Sequence, residues 1–86
     1  MRKIERAKKF KKDYKRESKG QYKDILDDEL KKVLGPLVND QSLEARYRDH
    51  DLSHNWAGYR ECHIKPDLLL IYRNHDNDML RLAWLS

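Results

Sequence analysis

From Trp56 to Arg73 the chain runs Trp-Ala-Gly-Tyr-Arg-Glu-Cys-His-Ile-Lys-Pro-Asp-Leu-Leu-Leu-Ile-Tyr-Arg. Its first half, Trp56 to Ile64, alternates as a strand does, with Tyr59, Glu61 and His63 on one face and Arg60, Cys62 and Ile64 on the other. Lys65-Pro66-Asp67 then predicts a turn, because proline fixes its own φ and pushes the preceding residue to an extended state. Leu68 to Arg73 is apolar on both faces, the pattern of a central strand. Asn74 to Asp78 is a polar hairpin loop, and Met79 to Leu85 returns as a last strand. These three strands form an antiparallel meander.

Toward the N-terminus the period changes. Ile25, Leu26, Leu30, Val33, Leu34, Leu37 and Val38 recur on one helical face, and Asp24, Asp27, Asp28 and Glu29 crowd the first turns, where negative charge suits the helix dipole. Gly35-Pro36 predicts a break or kink, with the helix over by about Asn39. An earlier helix spans Arg6 to Ser18, with a narrow stripe of Ala7, Phe10 and Tyr14 on a lysine coat, and Gly20 supplies a stop. Ile4, between charged neighbours, marks Met1 to Arg6 as a short edge strand. Leu43 to Tyr47 is ambiguous, and Asp49 to Asn55 reads as a polar loop. The expected fold is α+β over a single domain, residues 1–86: β-α-α-β-β-β, a helical hairpin packed on one face of an antiparallel sheet. Its core would draw on the second-helix face and on Leu68, Leu69, Leu70, Ile71, Leu80, Leu82 and Leu85.

The 86 residues leave no room for a second core. The longest apolar run, Leu68 to Tyr72, is far short of the roughly 20 residues that span a bilayer. No apolar h-region appears between Met1 and Gly20, so the expectation is a cytoplasmic chain with no membrane partner. One cysteine, Cys62, excludes an internal disulfide. Residues 1–23 hold eleven Lys/Arg against three Asp/Glu, a net +8, whereas residues 24–86 hold eight against twelve, a net −4. That asymmetry fits a surface facing a polyanion, and equally a well-solvated helix.

Titratable residues gather at Asp49, His50, Asp51, His54, His63 and Asp67. Two imidazoles and a carboxylate are the parts a metal-free ribonuclease needs: one group takes the 2′-hydroxyl proton and another protonates the departing 5′-oxygen. Cations must stabilise the charge on the phosphorane, and Arg60, Lys65 and Arg81 are near in sequence. The same residues have plainer uses. His54 and His75 suit ordinary surface positions, His63 a hydrogen-bonded strand position, and Asp67 a turn that serves the backbone. His50 and His54 have metal-ligand spacing only on a helix, and this stretch reads as loop, so neither metal nor cofactor is expected. Trp56 and Tyr59 either stack on RNA bases or anchor the start of a strand.

Tyr47-Arg48-Asp49-His50, then Trp56-Ala57-Gly58-Tyr59-Arg60-Glu61-Cys62-His63 and Ile64-Lys65-Pro66-Asp67, followed by Leu-Leu-Leu-Ile-Tyr, resembles the YafQ branch of the RelE/ParE toxin superfamily. The resemblance covers nearly the whole chain and implies a bacterial toxin of a type II toxin–antitoxin pair. Such toxins are endoribonucleases that cut mRNA in the ribosomal A site, against ribosomal RNA, until a cognate DinJ/RelB-like antitoxin blocks them. It implies a monomer alone and a hetero-oligomer with the antitoxin. Carried over by position, it makes His50, His63 and Asp67 the acid–base set. Arg60 becomes a backbone contact, and Lys8, Lys11, Lys12 and Lys15 face RNA. Trp84 stands where relatives carry an arginine, and the histidine and aromatic residue that follow in them are missing, so the resemblance also implies weakened cleavage.

Overall fold

The computed structural model describes residues 1–75 and 78–86. In chain order the elements are β1 (Lys3–Arg6), α1 (Lys8–Glu17), α2 (Leu26–Val38), β2 (His50–Asp51), β3 (Arg60–Lys65), β4 (Leu68–Asn74) and β5 (Met79–Leu85). Short 3-10 turns occupy Ala45–Tyr47 and His54–Trp56. The strands form one sheet in the order β1-β5-β4-β3-β2, so the doubly apolar β4 is central, as its sequence predicts. The β3–β4–β5 meander is antiparallel, but β1 joins β5 in parallel, which makes the sheet mixed. The expected hairpin loop lies partly outside the described residues.

The core lies between the helices and one sheet face. Phe10 of α1 and Leu26, Leu30, Val33 and Leu37 of α2 pack with Cys62, Ile64, Leu68, Leu70, Tyr72, Leu80, Leu82 and Leu85 of the sheet, with Tyr47 closing the side. Ile25, expected inside, is exposed at the start of α2. The helix runs through Gly35-Pro36 without breaking. Proline here falls in the last turn, where it removes one backbone donor, and the exposed Lys32 carbonyl can turn to water instead.

One register slip sets what each face carries. Between β4 and β5, Ile71 pairs with Trp84 while Tyr72 pairs with Leu82, leaving Ala83 as an extra residue. A bulge reverses the alternation beyond it, so Leu80, Leu82 and Leu85 all point into the core and Trp84 points out. The sheet face away from the helices therefore carries Glu61, His63, Leu69, Ile71 and Trp84.

The strand expected from Trp56 begins only at Arg60. Gly58 takes φ +91° between the 3-10 turn and β3, a left-handed conformation that suits glycine, and the turn folds Trp56 back over the open face. The stretch expected as loop, Asp49 to Asn55, contributes β2, a two-residue antiparallel partner of β3 in which His50 opposes Glu61 and Asp51 opposes Arg60.

β1 covers β5 only from Met79 to Leu82. Beyond it, α1 takes over the exposed edge. Leu85 N–H donates to Asp13 Oδ2 at 3.1 Å, and Arg16 donates to the Leu85 carbonyl at 3.0 Å. Asp13 is 1% exposed and also accepts from Lys9 and Arg16. One carboxylate thus closes a strand edge and fixes the lysine-rich helix against the sheet.

Candidate active site

Arg48 adopts the left-handed conformation at φ 52°, and the chain reverses there between the Ala45–Tyr47 turn and β2. Asp49 then turns to the helix side. It accepts from Tyr72 Oη at 2.6 Å and from the Arg60 guanidinium at 3.2 and 3.3 Å. Asp51 takes a further bond from Arg60. With its neighbours so anchored, His50 is left on the open face beside Glu61, and alternation places His63 on the same face. The two imidazole centroids lie 6.3 Å apart.

His50 Nδ1 lies 2.8 Å from the Arg48 carbonyl, which can only accept, so that nitrogen carries the hydrogen. Its Nε2 faces Glu61 Oε1 at 3.4 Å. Both ring nitrogens thus face acceptors. Among the described residues His63 has no hydrogen-bond or ion-pair partner, and its ring lines a cavity of about 320 Å³ at the free edge of β3. Arg46, Arg48 and Lys65 line the same cavity. Lys65 leans toward Glu29 at 3.6 Å, and Arg46 donates to Tyr47 Oη at 2.7 Å. The hollow thus gathers three cations and an imidazole, together with the Glu29 carboxylate.

The other expected residues lie elsewhere. Asp67 sits at the β3–β4 turn with its carboxylate directed to the α1–α2 connection, where it accepts from Tyr22 Oη and, at 2.9 Å, from Gln21. Those hydrogen bonds hold its carboxyl below the usual carboxylate range and push the Tyr22 hydroxyl above its usual value. Arg60 is occupied by two aspartates: despite partial burial its pKa is raised by the Asp49 hydrogen bond, so its charge is largely spent inside the protein. Arg81 pairs with Glu5 at the other end of the sheet. Lys8, Lys11, Lys12 and Lys15 are all exposed along α1. Glu61, Arg46 and Arg48 were not singled out by sequence reasoning. For Glu61 a signal existed, because alternation already put it on the face of His63.

Trp56, Trp84 and Tyr59 continue the open face as a chain of edge-to-face rings, with Trp56 and Trp84 5.7 Å apart and Trp56 and Tyr59 5.2 Å apart. Lys9 Nζ lies 4.7 Å over the Trp84 ring, and Arg73 5.6 Å over Tyr59.

Residues 2–86 match the family model described as "Bacterial toxin of type II toxin-antitoxin system, YafQ". The chain is 40% identical over 76 residues to the mRNA interferase toxin YafQ of Escherichia coli K12, a match covering 87% of this chain and 79% of that protein. Among solved structures it is similar to YafQ from E. coli BL21(DE3), with a TM-score of 0.82 and 37% identity, covering 100% of this chain and 92% of that one. A copper-bound mutant toxin from Helicobacter pylori aligns with a TM-score of 0.86 and 33% identity over 100% and 93% of the two chains. The E. coli DinJ–YafQ complex aligns at 0.78 with 34% identity, over 100% and 92%. The chain belongs to the YafQ family of bacterial type II toxin–antitoxin toxins.

Proposed function

We propose that this toxin is a ribosome-dependent mRNA endoribonuclease that cleaves by acid–base chemistry at His50 and His63. The observation that carries the reading is the pair of imidazoles 6.3 Å apart beside a cationic hollow, on the face that the helices leave open. His63, unpartnered among the described residues, takes the 2′-hydroxyl proton. His50, with acceptors at both nitrogens, gives a proton to the 5′-oxygen. Arg46, Arg48 and Lys65 meet the charge that builds on the phosphorane. Asp67, which the resemblance makes the third member of the acid–base set, is held at the β3–β4 turn by Tyr22 and Gln21. Lys8, Lys11, Lys12 and Lys15 supply the salt-sensitive grip on ribosomal RNA.

Trp84, in place of the arginine expected from the resemblance, leaves one cation fewer at the reaction centre, and cleavage is weaker for it by about 100- to 1000-fold. The partner is an antitoxin of the DinJ/RelB type, a reading supported by the similarity to YafQ solved with DinJ. The test is cleavage of a ribosome-bound message by the parent chain, by His50→Ala, His63→Ala and Asp67→Ala, and by Trp84→Arg. The expected result is loss in both histidine variants, a smaller loss for Asp67→Ala and a gain for Trp84→Arg, whose guanidinium plane also stacks on a base. A parent that cuts while both histidine variants cut equally well refutes the assignment. A folded chain that binds antitoxin tightly but cuts nothing, even as Trp84→Arg, is instead a non-catalytic antitoxin- or RNA-binding protein.

A further inference from the structure

The β-bulge at Ala83 turns a large aromatic outward at a place where plain alternation would bury it. Trp84 then stands beside Trp56, which the His54–Trp56 turn folds back over the same face. The two rings meet edge to face, and beside them lies a cavity of about 290 Å³ lined by both together with Leu52, Glu61, Leu69 and Ile71. Glu61 is the residue that faces His50 at 3.4 Å, so the cavity adjoins the histidine pair directly. Lys9, whose ammonium is paired with Asp13, lies 4.7 Å over the Trp84 ring. An apolar hollow with two indole rings along it and a carboxylate that can only accept matches one ligand chemistry well: a nucleobase removed from its stack and laid against an indole, its phosphate outside and its N–H edge toward Glu61.

We propose that the Trp56–Trp84 cavity is a base-stacking subsite that receives one unstacked nucleobase of the RNA next to the cleaved bond. The inference rests on the ribonuclease reading, to which it adds how the strand is bent and held. Base stacking would position the scissile phosphate between His50 and His63 without requiring a sequence-reading groove. The plainer use of these rings, as an apolar cover for Ile71, predicts no contribution from the aromatic face itself.

The chain has only two tryptophans, both in this cavity, so intrinsic fluorescence reports on it alone. The probe is a 2′-O-methyl hexaribonucleotide, which lacks the attacking hydroxyl and cannot be cut, compared with a hexamer of equal phosphate count in which every base is abasic. The base-bearing hexamer should quench the emission and bind about 10-fold more tightly than the abasic one. Trp84→Phe should keep most of that ratio, and Trp84→Leu, which retains an apolar cover, should abolish it. Circular dichroism on each variant verifies the fold. Equal binding of the two hexamers by the parent overturns the proposal, and so does an undiminished ratio in Trp84→Leu. Because the probe is not cleaved, base discrimination without cleavage of a ribosome-bound message would refute the reaction and leave the subsite standing. Cleavage without discrimination would do the reverse.

Discussion

Replacing Asp13 by alanine removes the one acceptor that closes the end of β5. The Leu85 N–H, donating at 3.1 Å to Asp13 Oδ2 on a fully buried residue, would have no partner. A buried donor left unsatisfied costs about 1–3 kcal/mol. Lys9 and Arg16 lose their shared anion as well, but their side chains are 52% and 53% exposed, so water and salt absorb most of that loss and it adds about 0.5 kcal/mol. The sum is about 1.5–3.5 kcal/mol, or about 6–28 °C in melting temperature for a domain of this size. Asp13→Asn keeps an oxygen for Leu85 and should cost about 1 kcal/mol. The pH dependence follows from the carboxyl itself. Burial pushes its pKa up, but hydrogen bonds from Lys9, the Leu85 amide and Arg16 outweigh that and hold it below its ordinary value. A depressed carboxyl stabilises the fold fully above its unfolded pKa of about 3.9, and that contribution disappears as pH falls through the folded value. The gap between parent and Asp13→Asn should therefore be flat above about pH 5 and shrink below pH 4. Urea unfolding at pH 7 and at pH 3, followed by circular dichroism, measures both effects. An alanine variant within about 0.5 kcal/mol of the parent at pH 7 would refute the edge-closing role.

Two further expectations use groups away from the histidines. Burial, with the charges of Asp49 and Glu61 adding to it, pushes the Cys62 thiol up to about 12, so iodoacetamide at pH 8 should leave the native protein unlabelled and modify it only after denaturation. Tyr22→Phe removes the larger of the two hydrogen bonds that depress Asp67, so the Asp67 carboxyl should titrate at higher pH in an NMR titration. An unchanged midpoint would show that the Tyr22 contact does not set that carboxyl's state.

The element order was legible because it depends on local periods. The 3.6-residue recurrence from Leu26 to Val38 and the doubly apolar Leu68–Tyr72 run need no knowledge of the rest of the chain. What escaped depends on distant partners. Asp13 looks like one more charge on a solvated helix, and only a backbone amide 72 residues away makes it the buried closure of a strand edge. Trp84 alternates toward the core until a single extra residue reverses it. Gly58 delays the start of the strand expected from Trp56, because its positive φ suits a turn and not a ladder. In the candidate site, residue spacing left His50, His63 and Asp67 open to several uses, and it was the resemblance that grouped them. The structure brings the two histidines together and directs the Asp67 carboxylate to Tyr22 and Gln21 instead.

The arrangement at His50 shows why an aspartate precedes it. β2 has only two residues, too few for ladder bonds alone to hold its position on β3. Asp49 supplies the missing restraint on the opposite side of the sheet, where Tyr72, 1% exposed, and Arg60 clamp its carboxylate. Adjacent residues in an extended chain point to opposite faces, so fixing Asp49 inward fixes His50 outward. Arg60 serves this clamp through its bonds to Asp49 and Asp51, whereas Arg46, Arg48 and Lys65 line the cavity at the neighbouring edge. Asp49→Asn should therefore loosen His50 without touching it, weakening cleavage while leaving binding of the uncleavable hexamer at the Trp56–Trp84 cavity nearly unchanged. Equal cleavage by parent and variant would mean that the two ladder positions of β2 suffice to place His50.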